Sequence, residues 1–107
     1  MALQNLTDAN FKKEVKESGK ISCVQFSANW CNPCKILKPL MEEISNEMSD
    51  KLNFYYMDID DSPSTPTLFA IRSVPTLILF DKNGEIINTK VGATTKSNVE
   101  GWIKENI

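Results

Sequence analysis

At 107 residues, 41% hydrophobic and 24% charged, the chain has the make-up of one globular domain over 1–107, with no room for a second. Twelve basic against fourteen acidic side chains leave a net charge of -2, so the basic footprint that a nucleic-acid partner needs is missing. Histidine is absent, which removes Ser–His and Cys–His nucleophile pairs and every histidine metal site, and three cysteines are too few for a disulfide scaffold.

Thr7 can cap a first helix that buries Phe11 and Val15 and runs to Ser18, where Gly19 supplies a left-handed stop. Lys12, Lys13, Lys16 and Lys20 interleave there with Glu14 and Glu17, the pattern of a solvated face. Ile21 to Ser27 is apolar on both faces and reads as a strand central to a sheet covered on both sides. Trp30-Cys31-Asn32-Pro33-Cys34 is a strand-to-helix turn. The helix continues to about Ser49, with Ile36, Leu37, Leu40, Met41, Ile44 and Met48 at helical spacing and Pro39 inside it. Leu52 to Ile59 is the next strand, followed by a loop over 60–64. Thr65-Pro66 reads as an N-cap and first helical position of a short helix that carries Leu68, Phe69 and Ile71. Pro75 to Phe80 and Glu85 to Val91 are two strands joined by the turn Asp81-Lys82-Asn83-Gly84. Thr95 can cap a last helix that buries Val99, Trp102 and Ile103 and reaches Ile107. Alternating strands and helices, then a hairpin, then a helix predict a three-layer mixed α/β sandwich.

The start, Met1-Ala2-Leu3-Gln4-Asn5, carries neither a basic region nor an apolar stretch of signal-peptide length. The longest apolar run, Leu77 to Phe80, is too short to cross a membrane. The expectation is a soluble, cytoplasmic protein with no membrane partner. Asn5-Leu6-Thr7 matches a glycosylation sequon that carries little weight without export.

Cys31 and Cys34 are three residues apart, so both sulfurs fall within one turn and can meet as a disulfide or open as a dithiol. Cys31 stands where the helix begins. Its thiolate would face unpaired backbone N–H groups and the positive end of the helix dipole, which lowers its pKa. Cys34, one turn in, is expected to be shielded. The pattern gives one exposed nucleophile and one resolving thiol, and Pro33 holds the first turn at helical φ without costing a hydrogen bond. A Cys-x-x-Cys can also be half of a zinc or iron–sulfur site. Zinc needs two more ligands, and Cys23 alone does not supply them. Three positions have a plainer reading beside the functional one. Trp30 is either core or the wall of a groove, and Pro75 is either a strand opener or a cis residue at the site. Cys23 is either an inert small hydrophobe or an oxidisable thiol.

Phe26-Ser27-Ala28-Asn29-Trp30-Cys31-Asn32-Pro33-Cys34-Lys35, the helix proline Pro39, Val74-Pro75-Thr76, Asn83-Gly84 and Val91-Gly92-Ala93 resemble, in order, the signature positions of the thioredoxin family. The resemblance covers nearly the whole chain. It implies the thioredoxin fold, a central mixed sheet flanked by four helices, with Cys31 as nucleophile and Cys34 as resolving thiol. It implies a cis Pro75 facing the dithiol, and a Val74 backbone that pairs with an extended substrate chain. Trp30, Ile59, Val74, Pro75 and Gly92 match the positions of a shallow apolar groove, and Trp30, Asn32, Pro33, Lys35, Gln25 and Pro75 the residues that support the cysteines. The family further implies reduction of protein disulfides, with electrons from NADPH delivered by a thioredoxin reductase, no cofactor or metal held by the chain, and a monomer.

The sequence departs from the family at four places. Gln25 stands where a buried Asp usually takes the proton from the resolving thiol, and an amide cannot do so. Tyr56 stands where a buried Lys usually pairs with that Asp, so a charge and its partner are replaced together. Asn32 replaces a Gly between the cysteines, and Ser27 replaces a Trp before Ala28. Slower release of mixed disulfides is expected. A partner-docking module with an incidental dithiol, and a thiol oxidase of an exported compartment, are the competing readings.

Overall fold

The computed structural model describes residues 3–107; Met1 and Ala2, the first two residues of the segment read for a presequence, lie outside the described residues. Five strands form one sheet in the order β1-β3-β2-β4-β5. They are β1 (Leu3–Asn5), β2 (Ser22–Ser27), β3 (Asn53–Asp58), β4 (Thr76–Phe80) and β5 (Ile86–Val91). β1 and β2 run parallel to β3, β4 runs antiparallel to β2, and β5 antiparallel to β4. The strand β1 was not expected. Its three residues are too short and too polar to show the alternation by which a strand is recognised.

The central strand is buried along its whole length, as the two-faced apolar pattern required. Alternate residues of β2 go to opposite layers. Cys23 joins Leu37, Met41, Ile44, Leu52, Phe54, Leu77, Val99 and Ile103 under α1 (Asn32–Met48) and α3 (Lys96–Asn106). Val24 and Phe26 join Phe11, Val15, Tyr55, Met57, Ile78 and Phe80 on the other face, beneath α2 (Ser64–Leu68) and the first helical segment. Phe11, Phe69 and Phe80 meet there with ring centroids 5.2–5.6 Å apart, tying that segment and the end of α2 to β4. These layers make the thioredoxin fold that the resemblance implied.

The first helical segment is shorter than the spacing predicted. Asn10 and Thr7 bond reciprocally at its start, and a π-helical turn covers Lys12–Lys16, closed by the Glu17 N–H on the Lys12 carbonyl at 3.1 Å. It ends before Gly19, which takes the expected positive φ of 74°.

Helix α2 begins two residues earlier than expected, with Pro63 and not Thr65 at its N-cap. Its orphan amides are met from far away in the chain. Asp8 accepts the Ser64 N–H at 3.0 Å and the Thr65 N–H at 2.8 Å. Desolvation pushes the Asp8 carboxyl up, but these bonds outweigh it and hold its pKa below the usual value. Thr65 and Pro66 are buried in α2, whereas Leu68, expected on its apolar face, is 68% exposed. Ile36 is likewise exposed on α1, and Ile107 lies beyond α3 in solvent. Thr95 caps α3 as predicted, accepting the Asn98 N–H at 3.2 Å.

Candidate active site

Strand β2 delivers the chain to the edge of the sheet at Ser27, and Asn32 begins α1 five residues later. Cys31 is the N-cap, with φ -92° and ψ 107°, and its N–H bonds the Ala28 carbonyl at 3.1 Å. The first N–H groups of a helix have no partner within it. Here the Cys31 sulfur takes that place and accepts the Cys34 N–H at 3.2 Å. Pro33 falls within the first turn, where a missing N–H costs nothing. The two sulfurs are joined as a disulfide across a Cα separation of 5.3 Å.

The pair is asymmetric. Cys34 is fully buried, as expected of the inner cysteine. Cys31 is more enclosed than its expected role as an exposed sulfur suggested, with 5% of its surface accessible. Both pack with Ala28 in a small cluster bordered by Ile59 and Val74, which explains the enclosure. The Cys31 sulfur lies 3.6 Å from the Val74 carbonyl oxygen. The Val74–Pro75 peptide is cis, as the resemblance implied, and the Gly92 N–H bonds the Pro75 carbonyl at 2.9 Å with Gly92 at φ 95°. Ile59 and Val74 thereby pack against the cysteines, and Pro75 and Gly92 are tied to Val74 through the cis peptide and this bond. Trp30 is 67% exposed and so is not core; its indole N–H donates to Asp60 at 2.9 Å, which fixes the ring at the edge. Asn32 and Lys35 are exposed on the first turn of α1. Clefts of about 260 and 180 Å³ occur elsewhere, and neither is lined by a cysteine.

Beneath the disulfide the replaced positions meet. Gln25 and Tyr56 are register partners on β2 and β3, on the face covered by α1. Gln25 is fully buried, and its amide nitrogen donates to Ser27 Oγ at 2.8 Å and to the Cys34 carbonyl at 3.3 Å. Lys38 of α1 sets its ammonium 4.4 Å from the centre of the Tyr56 ring. Desolvation raises the Tyr56 pKa, opposed by a hydrogen bond with Ser27 and aided by the charge of Asp58. Sequence reasoning missed Lys38 and Asp60. Lys38 is four residues beyond Cys34 and therefore shares its helix face, a signal that spacing alone offers. Asp60 carried no local signal, since its partner is thirty residues away.

Cys23, the third cysteine, is fully buried in the α1 and α3 layer, and burial pushes its thiol up to about 12. It packs as a small hydrophobe in that layer. Among the described residues no group of three or more Cys, Asp or Glu side chains converges as a metal site, and no helix is long and apolar enough to cross a membrane.

The thioredoxin family model matches residues 2–105. The chain is 47% identical over 105 residues to the thioredoxin of Rickettsia prowazekii, covering 98% of this chain and 99% of that one. It is 47% identical over 102 residues to a thioredoxin of Buchnera aphidicola from Acyrthosiphon pisum (95% and 94% covered), and 40% identical over 106 residues to that of Acidithiobacillus ferridurans (99% and 97% covered).

Proposed function

Because this chain belongs to the thioredoxin family and is a thiol–disulfide oxidoreductase with a redox-active Cys31–Cys34 disulfide, we propose that it is a general protein-disulfide reductase with Cys31 as nucleophile and Cys34 as resolving thiol. The observation that carries this reading is the Cys31 sulfur in the N-cap position of α1, already accepting a helix N–H. Charge placed there is met by that donor and by the helix dipole, so the thiolate is favoured at the outer sulfur.

In the dithiol form the Cys31 thiolate attacks a substrate disulfide and expels one substrate thiol, forming a mixed disulfide. Cys34 then attacks Cys31 Sγ, the second substrate thiol leaves, and the chain is left as the disulfide. Two electrons have passed to the substrate and must be restored. We assign that to a thioredoxin reductase drawing on NADPH, with no cofactor held by this chain. Val74 lies beyond the last β2–β4 register pair, Phe26 with Thr76, so its backbone lies outside the ladder and can align an extended substrate segment. Trp30, Ile59, Pro75 and Gly92 complete the groove, while Asn32, Pro33, Lys35 and Gln25 support the pair. The protein acts as a single domain and a monomer in the cytoplasm.

The test is reduction of insulin with dithiothreitol as electron source, beside the Cys31→Ser variant. Turnover by the parent and its loss in the variant is the expected result. A rate no higher than the dithiothreitol background would overturn the general-reductase reading and leave a dedicated partner or a docking role.

A further inference from the structure

Three buried side-chain oxygens among the described residues have no hydrogen-bond partner: Ser22 Oγ, Gln25 Oε1 and Thr94 Oγ1. Only Gln25 also touches a redox-active cysteine. Its orientation is fixed, because a carbonyl must be met by a donor and so the amide nitrogen faces the Cys34 oxygen. That nitrogen spends both hydrogens, one on Ser27 and one on Cys34. Oε1 is bonded to the same amide carbon and therefore sits in the same enclosed space under the first turn of α1. A buried acceptor left without a donor is costly, and the structure that carries this orphan is the disulfide form.

Reduction changes what surrounds it. A dithiol gives two electrons and two protons to the Cys31–Cys34 disulfide and closes to its own disulfide; the S–S bond breaks, and Cys31–SH and Cys34–SH form. The new Cys34 S–H is fully enclosed and needs an acceptor, and Oε1, on a side chain that already bonds the Cys34 carbonyl, lacks a donor. Resting on the dithiol reading above, we propose that Gln25 is a redox-responsive positioning residue: Oε1 accepts the Cys34 S–H only in the reduced state, so the amide stabilises the dithiol over the disulfide. The bonds from the amide nitrogen go to Ser27 and to a backbone carbonyl, neither of which gains or loses a hydrogen on reduction. Their contribution is common to both redox states and cancels in the potential. The contribution of Oε1 does not cancel, and it makes the protein easier to reduce.

The experiment compares the parent with Gln25→Met, which keeps length and flexibility but has neither donor nor acceptor. Each is equilibrated in dithiothreitol redox buffers, and the reduced fraction is read by thiol trapping. The expected result is a shift of the variant's equilibrium toward the disulfide of roughly threefold to tenfold, the upper figure being about 30 mV. A merely structural role predicts equal destabilisation of both redox forms and a change in the equilibrium below roughly threefold, which overturns the inference. If Gln25→Met does not fold, the parent alone decides. The chain has two glutamines, Gln4 and Gln25. With glutamine labelled at the side-chain carbonyl carbon, the infrared band of the buried amide should move to lower frequency on reduction while that of Gln4 stays; no movement refutes the proposal. Insulin reduction by the parent separates the two readings, since its persistence beside an unmoved equilibrium removes this inference and leaves the reductase intact.

Discussion

Replacing Ala70 by glycine should stabilise this protein. Ala70 is the one non-glycine described residue at positive φ, 55°. It follows the C-cap Phe69 of α2 and closes the helix in a Schellman arrangement, with the Ala70 N–H on the Thr67 carbonyl at 3.1 Å and the Ile71 N–H on the Pro66 carbonyl at 2.9 Å. An L-residue in this conformation costs about 1–2 kcal/mol through its Cβ and the following carbonyl. Glycine removes that cost but loses about 0.4–1 kcal/mol more backbone freedom on folding. Ala70 is exposed, so no packing is forfeited. The balance is a gain of about 0.5–1 kcal/mol for Ala70→Gly, read as a higher urea midpoint at unchanged slope. The control is Ala9→Gly, at an exposed turn residue whose φ is not left-handed; it should lose about 0.5–1 kcal/mol. Destabilisation or no change in Ala70→Gly, with the control behaving as stated, would refute the strain assigned to this turn.

Asp8→Ala removes the cap of α2 and should cost about 1 kcal/mol in urea unfolding, with Asp8→Asn, which keeps one acceptor, intermediate. The Asp8 pKa is lowered on folding, so its contribution is present above the unfolded value near 4 and is lost as pH falls through the lower folded value; the gap between parent and Asp8→Asn should therefore narrow in acid. Cys23, buried and with its thiol pushed up to about 12, should resist iodoacetamide in the native reduced protein at pH 8 while Cys31 is modified; equal labelling of both would contradict its packing role.

What could be read from the sequence was what local chemistry encodes. The two-faced apolar run of β2, the Thr95 cap, the turn ending at Gly84 and the Cys31–Cys34 spacing at a helix start each depend on neighbours within a few residues, and each stands in the structure. The misses share a different cause. The start of α2 is set by Asp8, more than fifty residues earlier, so local capping rules placed it at Thr65. The end of α2 lacks the glycine that usually marks such a stop, so Ala70 gave no sign of its left-handed backbone. Ile36 and Leu68 satisfied a helical spacing but face solvent, because periodicity names a stripe and does not say where its edge lies. At the site, Gln25 and Tyr56 were legible as a coupled replacement, while the Lys38 ammonium over the Tyr56 ring needed the packed helix to be seen.

The mixed direction of the sheet is what assembles the site. The carboxyl ends of β2 and β3 lie side by side, Ser27 opposite Asp58, and on this edge a parallel neighbour would also present its carboxyl end. β4 instead enters antiparallel, with Thr76 opposite Phe26, so the segment that precedes it arrives at the edge where β2 departs. Val74 is brought to Cys31 in this way across forty-three residues of chain. The antiparallel hairpin partner then returns along β5, and Gly92 reaches the same edge to bond Pro75. A helix N-terminus supplies the place for the sulfur, and the point where parallel pairing gives way to antiparallel supplies the wall against it. The placement of the Cys31–Cys34 disulfide against Val74 is therefore a consequence of strand order, while Gln25 and Tyr56 sit in register beneath it on β2 and β3.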